Sequence, residues 1–353
     1  MRLMPFSSPK YKLILWSLMH FATDGLCSYL VFAKLYPDNP SYAFYVFIAY
    51  NVLAFVTQSP VGILIDRFNR PKTFLGVSIA AMLLGYILSG VWLLSVILIG
   101  MSNSVFHVAG GKYVTDKSGN DISHLGIFVS TGAIGLALGQ TYADSFIPAA
   151  IFFTLLIGSY FLMLVSADPE KKEYSEIFTE EKYARYAMLA VTAIVLARSF
   201  VGKVIKPDFT PFSSFLIVVS LFVAAGKATG GMCAKRFGIR LTTLVSLCLA
   251  AICLCLGTGN PFTYIIGIFA FNFSMPITLY FANILLKGKE GFAFGTLAAI
   301  LTPGYFLGVL VSDYSLFMRI LTALLCVLSI VAILIILKRI NKDDGATLNH
   351  DHT

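Results

Sequence analysis

Charge is scarce in this sequence: Asp, Glu, Lys and Arg supply 12% of its 353 residues. A water-facing domain carries roughly 25%, because its surface has to be hydrated. The shortage excludes an ordinary soluble globule. With 58% apolar residues and a mean hydropathy of +0.82, the surface is one that faces lipid. Any CxxC pair is also missing, and the six cysteines (Cys27, Cys233, Cys248, Cys253, Cys255 and Cys326) all sit inside apolar stretches. Thiols so placed pack as small hydrophobes, so neither a metal site nor a disulfide framework is read from them. A GxxxxGK(S/T) phosphate loop is absent as well, which removes ATP as a direct energy source. No cofactor is expected.

What is present is a succession of apolar runs. A bilayer core about 30 Å thick takes about 20 residues of helix. Charged and Pro/Gly breaks divide the chain into twelve such runs, at 12–34, 42–65, 73–90, 92–112, 122–142, 147–166, 185–203, 212–234, 241–257, 262–286, 291–311 and 314–338. The first lacks a small-residue cleavage site and is expected to be retained as a span. The main polar interruption separates an N-terminal bundle (1–166) from a C-terminal one (185–340), with a linker at 167–184 and a tail at 341–353. The expected fold is all-α and polytopic, twelve transmembrane helices in two six-helix bundles.

Lys and Arg crowd alternate connections, such as Arg67, Arg70 and Lys72, then Lys112 and Lys117, then Lys235, Arg236 and Arg240. The opposite side has only Lys34, Lys203 and Lys206. Cytoplasmic loops hold the cationic excess, so both termini are expected in the cytoplasm, as in a bacterial inner (plasma) membrane protein. The net charge of +8 is this topology signal and does not point to nucleic acid.

Within the spans, polar residues fall on single helix faces. An ionised Asp at the centre of a membrane helix costs roughly 2.5–3.5 kcal/mol, and Asp24 sits mid-span in the first run. His20 lies one turn earlier, at i, i+4, so the two share a face that should line a water-filled cavity. These two are the candidate proton carriers. In the fourth run Gly100, Asn103, Ser104, His107 and Gly111 also share one face. Arg198 in the seventh run either faces the cavity or pairs with Asp144 or Asp313. Lys227 in the eighth either lines the cavity or snorkels toward headgroups. Asn51 and Gln58, seven apart, complete the candidate solute cavity of His107, Asn103, Arg198, Lys227, Asn51 and Gln58. Basic groups outnumber one carboxylate there, so the expected solute is a small anion or zwitterion. A hydrolytic triad of Ser17, His20 and Asp24 is excluded, because one helix face cannot orient nucleophile, base and orienter. The chain is therefore not expected to be an enzyme. Gly132, Gly135 and Gly139 form a small-residue seam, and Pro276 and Pro303 should bend the tenth and eleventh spans.

The loop Gly62-Ile63-Leu64-Ile65-Asp66-Arg67-Phe68-Asn69-Arg70 has a counterpart in the second half, Gly231-Met232-Cys233-Ala234-Lys235-Arg236-Phe237-Gly238-Ile239-Arg240. The first closely resembles the signature G-x-L-x-D-R-x-G-R-(R/K) of the major facilitator superfamily, with Asn69 at the usual glycine. Its gate residues are Gly62, Asp66, Arg67 and Arg70, and the resemblance implies that Asp66 latches the cytoplasmic helix ends in one state. Lys235 stands where the second loop should carry an acid, which argues against a matching latch there. His20-Phe21-Ala22-Thr23-Asp24, Phe106-His107 and Arg198-Ser199 resemble the fosmidomycin-resistance branch, although Val108-Ala109 replaces the branch's Pro-Glu. This resemblance implies a monomeric, proton-coupled antiporter exporting small anionic or amphiphilic compounds. Uptake by proton symport and a non-transporting receptor on the same scaffold are the alternatives.

Overall fold

The computed structural model describes residues 8–174, 181–211 and 214–350, with side chains to Ile340. Arg2, residues 175–180 of the expected linker and residues 351–353 of the expected tail lie outside them. The described residues fold into twelve helical spans. The first half holds α1 (Pro9–Leu30, prolonged by a π-helical turn Val31–Leu35), α2 (Pro40–Phe68), α3 (Pro71–Ile87), α4 (Trp92–Ser118), α5 (Ile122–Thr141) and α6 (Ile147–Val165). The second half holds α7 (Glu181–Val204), α8 (Phe215–Phe237), α9 (Ile239–Leu256), α10 (Pro261–Leu285), α11 (Glu290–Val309) and α12 (Leu316–His350). Ten are long and apolar enough to cross a bilayer by composition alone. The other two fall short for separate reasons: α3 has only 17 residues, and α1 carries the His20/Asp24 stripe.

Three boundaries differ from expectation by four residues or more. Helix α7 begins at Glu181, earlier than 185, and α12 continues helical through His350 where a tail was expected. Helix α4 runs to Ser118, six residues beyond the expected end, so Lys112 lies inside a helix and not in a loop. The helix continues past this cation because acids neutralise it, Asp66 and Glu290 from other helices and Asp116 from its own.

Prolines interrupt the spans where they remove a helical N–H. The helix breaks at Asn272–Phe273, one turn before Pro276, and at Ile300, one turn before Pro303. Each proline lacks the donor for the carbonyl four residues back. Pro60 follows a π-helical turn at Val52–Val56 in the same way. The two related loops both reverse through a left-handed residue, Asn69 (φ 50°) in one and Gly238 (φ 85°) in the other. Asn adopts this conformation with little penalty, so its substitution for glycine is tolerated.

Helix α1 packs on α5 and α6, and α2 and α3 pack on α4; in the second half α7 packs on α11, and α9 on α10 and α12. The halves meet chiefly through α5 on α8 and α2 on α11. Lipid-facing positions are apolar, with Ile63, Val77, Ile87, Phe161, Leu189 and Leu310 each more than half exposed. The glycine seam of α5 lies against α1, where a Cβ on Gly135 would collide with the Phe21 carbonyl. Overpacking of this kind costs about 1–3 kcal/mol. Gly135→Val should therefore lower the melting temperature in detergent by about 5 °C or more, read by intrinsic fluorescence. An unchanged melting curve would refute this close approach.

Candidate functional site

The site is built around Asp24, because α4 and α5 bring partners to the α1 stripe. His20 Nε2 stands 3.3 Å from Asp24 Oδ2, as the i, i+4 spacing requires. From α4, His107 Nε2 approaches Asp24 Oδ1 to 3.5 Å, and the Asn103 amide donates to the same oxygen at 3.1 Å. The imidazoles stand edge to face, with centroids 4.6 Å apart. Each ring is anchored through its Nδ1, His20 on the Phe128 carbonyl at 2.7 Å and His107 on the Asn103 carbonyl at 2.9 Å. Gly132 makes the room: a Cβ there would strike both Asp24 Oδ2 and His20 Nε2. Ser17 Oγ is buried without a hydrogen-bond partner, so His20 does not activate it.

This cluster forms one wall of a central cavity of about 290 Å³. Arg198 of α7 and Lys227 of α8 line the same cavity from the second half. The Arg198 guanidinium donates from Nη1 to Thr278 Oγ1 at 3.2 Å. Among the described residues it pairs with neither Asp144 nor Asp313, and Lys227 lines the cavity instead of snorkelling outward. Gln58 also lines this space, its amide tied back to the Ala54 carbonyl at 2.8 Å. A second cavity of about 430 Å³ shares Asp24, Phe55, Leu136 and Leu301 with the first, and holds Asn51 near Tyr36, Phe47 and Tyr305. The structure thus gathers His20, Asp24, His107, Arg198, Lys227, Asn51 and Gln58 around the two adjoining cavities. Asn103, expected to line the space, lies buried behind Asp24 and reaches it only through that carboxylate. Thr278 and Tyr50 are not separated by their local sequence from other isolated polar residues in apolar helices, while Ser199, quoted only as the neighbour of Arg198, lines the second cavity.

The cavity is shut at the end where α1 begins. There α2 crosses α11 with Gly62 against the Gly291 backbone, and α5 crosses α8 with Gly126 against Gly231. Asp66 caps α11: the Gly291 N–H donates to Oδ1 at 2.9 Å and the Phe292 N–H to Oδ2 at 2.8 Å. Lys112, only 4% exposed, reaches three carboxylates from Nζ: Glu290 at 3.2 Å, Asp116 at 3.3 Å and Asp66 at 3.4 Å. Tyr174 of the linker donates to Glu290 Oε1 at 2.8 Å. Arg67 and Arg70 are exposed at the α2–α3 turn. In the second half α8 offers no acid to cap α5 as Asp66 of α2 caps α11. Instead Lys235, more than half exposed, pairs with Asp121 at the start of α5 and gives this crossing an ion pair of its own. Burial alone would raise the Asp121 carboxyl, but hydrogen bonds from His124, Lys235 and Ser123 outweigh it and hold it well below the ordinary carboxylate range. Asp168, at the start of the linker, is likewise depressed, since hydrogen bonds from Lys72 and Tyr113 outweigh its partial burial.

Neither family models nor curated protein sequences yield a match to this chain. Solved structures do. The major facilitator superfamily transporter FucP in its outward conformation is similar with a TM-score of 0.65 at 14% identity, over 92% of this chain and 98% of that one. The human organic anion transporter MFSD10 (TETRAN) gives 0.64 at 12%, over 93% and 100%. An outward-facing bacterial homologue of the iron transporter ferroportin gives 0.54 at 17%, over 96% and 99%. At these identities the likeness speaks for architecture, and that architecture is unambiguous: this chain has the major facilitator fold, two six-helix bundles around a central cavity.

Proposed function

We propose that the chain is a secondary transporter, a proton-coupled antiporter that exports a small anionic or amphiphilic compound across a bacterial inner membrane. One observation carries the reading: a central cavity between the bundles holds a carboxylate–imidazole cluster on one wall and two cations, Arg198 and Lys227, on the other. The remaining walls, including Phe55, Leu136, Met275 and Leu297, are apolar and suit an amphiphilic body. Solved structures of this fold include a fucose:proton symporter and an organic anion transporter, which agrees with solute movement as the use of such a cavity.

The closed end carries the cationic loops, which supports a cytoplasmic position for it; on this reading the cavity extends outward past Asn51 and Tyr305. In this state a proton reaches Asp24 from outside. Rocking of the bundles then breaks the α2–α11 and α5–α8 contacts, exposes the cluster to the cytoplasm and releases the proton there. The solute binds from the cytoplasm, its anionic group held by Arg198 and Lys227, and leaves when the cavity faces outward again.

The test is reconstitution in liposomes with a pH-sensitive dye inside, an imposed proton gradient and a panel of anions. Solute-dependent proton flux supports the reading, and its sign separates antiport from symport. Transport of lipophilic cations alone would sink it. Arg198→Gln removes the charge and leaves a polar side chain in the cavity wall. It should raise the half-saturating anion concentration on the order of tenfold, because a charged hydrogen bond contributes about 1.5–3 kcal/mol. Unchanged half-saturation would move anion recognition to Lys227.

A further inference from the structure

The two histidines present their lone pairs to an anion. A carbonyl oxygen only accepts, so the contacts of His20 Nδ1 with Phe128 O and of His107 Nδ1 with Asn103 O put the hydrogen on each Nδ1. Each neutral ring then turns an Nε2 lone pair toward Asp24, at 3.3 and 3.5 Å. Two acceptors against a carboxylate repel unless a proton, on the carboxyl or on an imidazole, or a metal cation lies among them. Protons on both Nε2 atoms would answer this, but charged N–H to carboxylate bonds run about 2.7–2.9 Å, shorter than either distance. A different cation fits better. Around a tetrahedral ion with bonds of about 2.0–2.1 Å, neighbouring ligand atoms stand about 3.4 Å apart. Donor atoms of all three side chains lie within 4.8 Å of one another. The Nδ1–H bonds to backbone carbonyls are also the outer contacts that orient ligating histidines.

We propose that His20, Asp24 and His107 bind one divalent first-row transition-metal ion through the two Nε2 atoms and the Asp24 carboxylate. Imidazole with carboxylate suits zinc, iron, cobalt, nickel or copper in preference to calcium or magnesium. Three protein ligands leave a coordination position open, and all three residues line the central cavity. Arg198 and Lys227 across that cavity disfavour a bare cation and favour one whose open position holds an anionic oxygen donor. Asn103 steadies the carboxylate by donating to Oδ1, and Gly132 keeps the space free. The site goes beyond the transport reading and does not depend on it, since it requires only the three side chains.

The experiment uses purified, chelator-stripped full-length protein in detergent, with His350→Gln and His352→Gln in the background to remove the C-terminal imidazoles. Cobalt(II) is the probe, followed by visible absorption and equilibrium dialysis, and zinc-loaded protein is examined by X-ray absorption. The expected result is one cobalt ion per chain and a zinc shell of two imidazole nitrogens plus oxygen, without sulfur. Loss of an outer partner already weakens metal binding 10–100-fold, so His20→Gln and His107→Gln should each weaken it on the order of a hundredfold. His124→Gln should leave it unchanged. Absence of binding, undiminished binding in the two ligand variants, or sulfur in the shell would overturn the proposal. If those variants do not fold, the wild-type shell decides, and fewer than two imidazoles refutes the site. Binding is read without solute or gradient. Its failure therefore leaves the transport reading standing, while a chain that binds metal and carries no solute sinks only that reading.

Discussion

Asp24→Asn abolishes solute-dependent proton flux in liposomes, to less than a hundredth of the wild-type rate, while the protein still folds and inserts. The substitution is nearly isosteric and removes only the ionisable group. The Asn oxygen can still accept from the Asn103 amide and its NH2 can donate to His20 Nε2, so the shape of the side chain beside Gly132 is preserved. What is lost is the one carboxylate among the described residues that lines the central cavity. An ionised Asp in this position is costly, and a neutral or balanced one is not. That difference lets a single proton bias which way the cavity faces. The assay is run in chelated buffer so that protons alone carry the coupling, with solute binding measured separately on the purified variant. Persistent flux would make Asp24 structural and transfer the coupling to His107.

Lys112→Met opens the closed end. Lys112 is the cation among Asp66, Asp116 and Glu290, and Glu290 belongs to the opposite half. Removing one partner from a buried ion cluster costs about 3–5 kcal/mol, because the remaining charges lose their compensation. Here the cost falls on the state that holds α4 against α11, so the equilibrium shifts toward separation of the two helices. About 1.4 kcal/mol is a factor of ten, so the closed state loses at least a hundredfold in population ratio. The readout is hydrogen exchange at Gly291 and Phe292, whose amides are held by Asp66 only while the end is shut. Exchange there should accelerate on the order of a hundredfold, with the α1 core unchanged. Uniform acceleration along the chain would assign Lys112 to global stability and refute its role in the gate.

Much of this was determined by the sequence alone, wherever the controlling interaction is local or is with the bilayer. The spans follow from hydropathy, since lipid requires every backbone group to be satisfied within a helix. The shared face of His20 and Asp24 follows from the helical repeat, the left-handed turn at Asn69 from the side chain's tolerance, and the breaks before Pro276 and Pro303 from the missing donor. The tertiary structure decided everything that depends on a choice of partner. His107 reaches Asp24 across 83 positions, a separation that no periodicity encodes. Lys112 reads as one more loop cation until α2 and α11 place acids around it, and Lys235 shows no partner until α5 offers Asp121. A charge shows its residue type in the sequence, but its energy depends on burial and on what lies within a few ångströms, and only the packed helices determine those.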